Sequence, residues 1–209
     1  MHWAERLADA LIERHPTREE FHFAAGTTPS GPVHCGNLRD ILTNWFVARC
    51  VMERGRKVRL LQSWDDYDRF RKIPKDVPIE FEQHLGKPVA DVPDPWGEYT
   101  SYAARYERIF EQSLTSLGID LEYRYQAAMY RSRAYNAAIV EAIAHRHQIF
   151  DIIDSFRTKK GTAEERQEYY PVEVYCPRCR RDTTRLLEFN DYTLEIGRAS
   201  CRERVYVLV

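Results

Sequence analysis

Between Phe21 and Trp64 the chain sets a short apolar strand, a loop dense in glycine and proline, a helical stripe and a second apolar strand in immediate succession. FHFAA (Phe21–Ala25) reads as a buried strand. Leu38, Ile41, Leu42, Trp45, Phe46, Cys50 and Val51 recur at helical spacing, and Gly55 stops that helix. VRLLQSW (Val58–Trp64) reads as the second strand. A strand, a helix and a strand joined by short connections form a βαβ unit, so the two strands are expected to run parallel with a right-handed crossover.

The alternation continues downstream. Ile73 to Pro95 carries five prolines and reads as an irregular insertion with one short helix. Tyr102, Tyr106, Ile109, Phe110, Leu114 and Leu117 form a further stripe ended by Gly118, and IDLEYRY (Ile119–Tyr125) is a third strand. Tyr135, Ala138, Ile139, Ala142, Ile143, Ile149, Ile153 and Phe156 predict one long helix. The expected class is α/β with an open parallel sheet. The chain has 209 residues, with 31 basic and 32 acidic side chains and a formal net charge of -1, a balance that predicts no general nucleic-acid affinity. No apolar run approaches the ~18 residues of a membrane span. The charged amphipathic N-terminus, MHWAERLADALIERH, is not a secretory signal. Five cysteines without an export signal fit a reducing, cytoplasmic setting.

In open α/β sheets ligands bind beyond the carboxyl ends of the strands, where GTTPSGPVHCGN (Gly26–Asn37) lies. Gly26, Gly31 and Gly36 permit close backbone approach, and Pro29 and Pro32 stiffen the loop. Gly36 and Asn37 open the following helix, whose free N–H groups attract phosphate. His34 and Asn37 fall near the same helix end, and both can donate to phosphate oxygens. The residues alone suggest an anion site suited to a nucleotide; a tight turn with a surface histidine is the alternative. The spacing matches neither a GxxxxGK[ST] loop nor a GxGxxG fingerprint.

TPSGPVHCGN resembles the HIGH-type nucleotide motif of class I aminoacyl-tRNA synthetases. Together with WDDYDRFRKIPKDVP (Trp64–Pro78) and DVPDPWG (Asp91–Gly97) it resembles one family in particular, the class I lysyl-tRNA synthetases. The likeness runs from HWAERLAD to YPVEVYCPRC. It implies a Rossmann-type catalytic domain, ATP-dependent activation of lysine assisted by Mg2+, and transfer to lysine tRNA. It also implies that His34 and Asn37 are catalytic, gripping the triphosphate, and that ATP is held along Pro29, Ser30, Gly31, His34, Gly36 and Asn37. Gly26 and Thr28 match lysine-contacting positions, although Thr28 could equally cap the turn. Asp65 and Asp66 end the second strand beside the same crevice. Either could hold the amino acid's α-ammonium, since adjacent side chains at a strand end point opposite ways, and a solvated acidic turn is the other reading. Arg69, Arg71, Lys72 and Lys75 suit a phosphate or tRNA contact or simply a solvated charged face.

CPRC, Cys176 to Cys179, has the spacing of a zinc knuckle, with VEVY read as a strand leading in and RRDTTRLLEF as turn and strand. Zinc needs four ligands, so this pair is half a Zn2+ site. Cys35 and Cys50 read as packing residues. Some family members place cysteine and histidine metal ligands after DPWG; here Glu98, Tyr99 and Arg105 stand in that region, and no metal is expected at Asp94. The expected division is a nucleotide-binding catalytic domain at 1–160, a linker and incomplete knuckle at 161–194, and a tail at 195–209. EIGRASCRERV (Glu195–Val205) coincides with what a common sequencing adapter spells in one reading frame, so the tail is expected to be non-native and Cys201 no ligand. No K-x-S-K pattern occurs, and the chain by itself is expected to be inactive. Two other readings remain: a HIGH-motif nucleotidyltransferase or synthetase for another amino acid, and a non-catalytic nucleotide- or RNA-binding domain.

Overall fold

The computed structural model of the chain describes residues 2–190, 193–198 and 205–208. They fall into two units. The first runs to Asp68 and adds Ile73–Ile79 and Val89–Ala127; the second takes in Arg69–Lys72, Glu80–Pro88 and the chain from Ala128 onward.

The first unit is an α/β layer around a parallel sheet. Helix α1 (Trp3–Arg14) is started by a capping box between His2 and Glu5. Strand β1 (Glu20–Thr27) pairs with β2 (Lys57–Trp64), and helix α2 (Cys35–Glu53) makes the crossover between them. Gly55 takes a φ of +79° just after α2, where a side chain would be strained. Helix α3 (Tyr102–Ser116) leads through Gly118, at φ +70°, into strand β3 (Glu122–Tyr125), which pairs parallel to β2. The sheet order is β1-β2-β3.

The apolar residues gather on one face of the sheet, the side to which Phe21, Phe23, Ala25, Val58 and Trp64 all alternate. One cluster packs Ala4 and Ala8 of α1 against Phe21, Val47 and Val51. The other packs Ile41 and Trp64 against Phe110, Leu114 and Ile119. A buried polar knot ties β2 and β3 to α3: Glu111 accepts from Trp64 Nε1 at 3.0 Å and from the Tyr125 hydroxyl at 2.7 Å. On the exposed side Arg59 makes a two-pronged contact with Glu122, at 2.8 and 2.5 Å. The proline-rich insertion forms two short 3-10 turns, Ile79–His84 and Val89–Asp91, rather than one helix.

Helix α4 (Gln126–Arg131) follows β3 directly. In the second unit the single long helix expected over 135–156 is two helices, α5 (Asn136–Ala144) and α6 (Arg146–Ser155). His145 separates them and turns back on α5, with its N–H and its Nδ1 both on the Glu141 carbonyl. The apolar stripe breaks at the same place: nothing apolar lies between Ala144 and Ile149. Helix α7 (Ala163–Glu168) is tied to α6 by Arg166, which clasps Asp151 at 2.6 and 2.8 Å. Strands β4 (Thr184–Asn190), β5 (Thr193–Arg198) and β6 (Val205–Leu208) form an antiparallel sheet. VEVY is no strand: Val172–Tyr175 joins no ladder, and the Thr184 hydroxyl meets the Val174 carbonyl instead. Cys201 and the rest of 199–204 lie outside the described residues.

Candidate functional site

All three parallel strands end at one edge of the sheet. Gly26 stands opposite Ser63 and Thr27 opposite Trp64, and the Asp65 N–H reaches the Thr27 carbonyl at 3.0 Å. Residues distant in sequence therefore meet at this edge: Gly26 and Thr28 from β1, Ser63, Asp65 and Asp68 from β2, and Gln126 from the end of β3.

The two adjacent aspartates have different surroundings. Asp65 faces Gly26: a Cβ placed on that glycine would lie 3.5 Å from Asp65 Oδ2, in van der Waals contact with the carboxylate. Ser63 donates to Asp65 Oδ1 at 3.0 Å, and Gln126 Nε2 donates in turn to Ser63 Oγ at 2.7 Å. Burial pushes the Asp65 carboxyl above its ordinary range, the Ser63 hydrogen bond pulls the other way, and the nearby Asp68 charge adds to the rise. Asp66 is buried and accepts the Ala127 N–H at 2.7 Å. It fastens the start of α4.

Thr28 does not end in solvent: its hydroxyl donates to Asp68 Oδ2 at 2.8 Å. That leaves the threonine oxygen as an acceptor beside two carboxylates, a setting suited to a cation with several N–H donors. Asp68, Ser63 and Gln126 were passed over in the sequence. The third aspartate of WDDYDR was the available signal for Asp68; nothing local marks the other two.

The loop between β1 and α2 is organised by its own helix cap. His34 is the N-cap of α2, and its Nδ1 accepts the Gly36 N–H at 3.1 Å. Asn37 completes the capping box, its Oδ1 accepting the His34 N–H at 3.3 Å. These two bonds fix which atoms remain available. The imidazole proton is placed on Nε2, and the Asn37 amide keeps its NH2, so each side chain has a donor left at the helix N-terminus. Gly36 makes room for the His34 ring as it is placed: a Cβ there would sit 2.8 Å from Cε1 of His34, and the ring would have to move. Pro29 is buried, Ser30 and His34 are exposed, and the Ser30 N–H turns back on the Thr28 carbonyl at 2.8 Å. Gly31 has no atom within 4 Å of where a Cβ would lie, so nothing in the protein itself requires glycine there.

The remaining residues singled out in the sequence lie elsewhere. Asp94 is enclosed: Arg105 contacts both its oxygens, at 2.8 and 3.2 Å, and the Glu98 and Tyr99 N–H groups reach Oδ2 at 2.8 and 2.9 Å. Arg69 pairs with Asp182 at 2.7 Å within the second unit. In CPRC the Cys176 sulfur accepts the Arg178 and Cys179 N–H groups at 3.1 and 3.3 Å, the Arg180 N–H returns to the Cys176 carbonyl at 2.7 Å, and Arg180 has a φ of +59°. The Arg178 and Cys179 N–H groups both point at the Cys176 sulfur, and neither reaches that of Cys179. Among the described residues no three His, Cys, Asp or Glu side chains gather as a metal site. No helix among them is long and apolar enough to cross a membrane.

Comparison with known proteins gives a consistent answer. The profile of tRNA synthetases class I (K) matches residues 1–207. A lysine–tRNA ligase of Thermococcus kodakarensis is 40% identical over 182 residues, covering 87% of this chain and 35% of the relative. One of Treponema pallidum is 38% identical over 186 residues, with 88% and 35% covered. One of Streptomyces coelicolor is 34% identical, with 93% and 40% covered. The chain thus spans about a third of the length of the curated relatives it matches.

Proposed function

The chain belongs to the class I tRNA synthetases (K), and from that premise we propose that it supplies the ATP- and lysine-binding edge of a lysine–tRNA ligase. The lysine carboxylate attacks the α-phosphorus of ATP; a C–O–P linkage forms and the bond to pyrophosphate breaks. A terminal ribose hydroxyl of lysine tRNA then attacks the activated carbonyl and AMP leaves. Such an enzyme works in the cytoplasm, where its three substrates meet.

The observation that carries this reading is the edge itself. A glycine-rich loop ends in a helix N-terminus with two side-chain donors left over, at the same sheet edge as Asp65, Asp68 and Thr28. His34 Nε2 and the Asn37 amide would meet the triphosphate, with the backbone from Pro29 to Gly36 closing on it, and their donation grows in value as charge develops on the phosphoryl oxygens. Asp65, flanked by Gly26 and Thr28, would take an ammonium group of lysine, which relieves the strain of a partly buried carboxylate beside a second one. Asp66 is better suited to support than to contact. Mg2+ would accompany the ATP, and Zn2+ would be held in part by Cys176 and Cys179; the described residues supply only this half of a zinc ligand set.

The test is lysine-dependent ATP–pyrophosphate exchange by the complete gene product. Exchange with lysine and not with the other amino acids supports the reading. Exchange driven by a different amino acid favours a synthetase of other specificity. Nucleotide or RNA binding without exchange favours a non-catalytic domain.

A further inference from the structure

The mechanism above uses the loop from Pro29 to Asn37 but leaves open what holds its first half still. That half is anchored at its start by the buried Pro29, while Ser30 beyond it is exposed and its N–H makes a turn back to Thr28. One contact comes from far along the chain. Tyr102, the first residue of α3, is fully buried, and its hydroxyl donates to the Ser30 carbonyl at 3.0 Å.

Tyr102 is itself fixed at several points. Its N–H reaches the Val92 carbonyl at 2.8 Å. Its ring meets that of Tyr106 at 5.1 Å, nearly edge-on. Ser101 caps the helix one residue before it, accepting the Ala104 N–H at 3.1 Å. One turn further on, Arg105 grips Asp94 through two nitrogens and lies over the rings of Trp96 and Tyr99, 4.4 and 4.9 Å from their centroids. Asp94 is wholly enclosed and Arg105 largely so. The segment after Val92 and the first turn of α3 thus form a tightly bonded block, and the Tyr102 hydroxyl hydrogen-bonds that block to the nucleotide loop. A buried phenol ordinarily finds a partner; here the hydroxyl has two, the Tyr106 side chain one helical turn on and a main-chain carbonyl of the loop, and no side-chain substitution in the loop can replace the carbonyl.

We propose that Tyr102 is a positioning residue for ATP activation, a strut that sets the loop from Pro29 to Gly36 so that its donors meet the phosphates where charge develops. This deepens the lysine-activation reading and rests on it. Small misplacements of preorganised donors are felt chiefly in the transition state, so the strut should act on kcat more than on ground-state binding.

The experiment is Tyr102→Phe in the complete enzyme, which removes one hydroxyl and keeps the ring. Two quantities are read: the exchange rate per active site, normalised by the burst of adenylate formed, and amide hydrogen exchange of peptides covering residues 28–38. The expected result is a fall in kcat of about 10-fold or more, with KM for ATP and lysine within about 3-fold of wild type. Amides of 28–38 should exchange faster, while those of α3 hold their protection. Equal loss of burst amplitude and total rate, with an unchanged rate per site, would reduce Tyr102 to a packing residue and overturn the proposal, as would unchanged protection at 28–38. If the wild-type enzyme shows no lysine-dependent exchange, the functional reading falls, and the hydrogen-exchange comparison still decides whether Tyr102 sets the loop.

Discussion

The His34 imidazole folds back over Gly36 and accepts its N–H at 3.1 Å, so the ring occupies the space where any larger residue at 36 would carry its Cβ. The two residues act as one unit. The glycine lets the histidine cap its own helix, and the cap aims the second ring nitrogen outward.

Replacing Gly36 with alanine should therefore act through His34. In the complete enzyme we expect Gly36→Ala to lower the exchange rate by roughly the ~10²–10³ typical of losing one preorganised donor. His34→Ala should fall in the same range, and the double variant should be little worse than either single one. Additive losses would show that the two positions act independently. Circular dichroism of the variants should match wild type.

Asp65 and Asp66 should separate cleanly. Asp65→Asn is expected to raise the lysine KM at least about 10-fold with little change in the urea midpoint. Asp66→Asn weakens a buried acceptor of the Ala127 N–H, and its effect should appear as lost stability, about 1–3 kcal/mol, with a smaller change in KM. The Asp65 carboxyl must be ionised to hold an ammonium group, and its folded pKa is raised. Lysine binding should consequently weaken, as pH falls, at a higher pH than an ordinary aspartate would give, and Asp65→Asn should remove that limb.

Glu107 gives a stability signature. It is buried in α3, its Oε1 has no hydrogen-bond partner among the described residues, and burial together with the charges of Asp66 and Glu111 pushes its carboxyl up to about 8, with Arg108 opposing. The folded state thus keeps a proton that the unfolded chain releases near the ordinary carboxyl value of 4.5. Folded protein binds more protons between those two pH values, so the stability this group contributes is present below about pH 4.5 and is lost as pH rises to about 8. Glu107→Gln should flatten that part of the curve in chemical denaturation at pH 5, 6, 7 and 8. An unchanged slope would mean that Glu107 ionises normally in the fold.

Zinc should depend on both sulfurs of CPRC. In the complete protein, Cys176→Ser and Cys179→Ser are each expected to lose about one equivalent of zinc by elemental analysis. Retention of that zinc in either variant would assign it to other residues.

Local pattern carried the strands, the helices around them and the loop that joins β1 to α2, because each depends on residues within one or two turns of one another. It failed where the decisive contact spans the chain. Nothing in WDDYDR says that Asp65 turns toward Gly26 while Asp66 turns toward Ala127, 61 residues on. The partner of Thr28 is 40 residues away and that of Ser30 is 72 away. The segment over 135–156 is two helices for the opposite reason: two stripes of the right period lie close together, with four polar residues, His145 to Gln148, between them. The inward turn of Glu111 toward Trp64 and Tyr125 was equally hidden, since a glutamate on an amphipathic helix ordinarily faces water.

The Asp94–Arg105 pair has a last consequence. A guanidinium that fills a carboxylate from two sides, stacked between indole and phenol, does for this corner what a bound ion does elsewhere, but it is part of the polypeptide. It cannot be chelated, exchanged or outcompeted, and it arrives in a one-to-one ratio with every chain synthesised. The block that steadies the nucleotide loop is therefore insulated from the ionic composition of its surroundings, and its integrity is inherited rather than acquired.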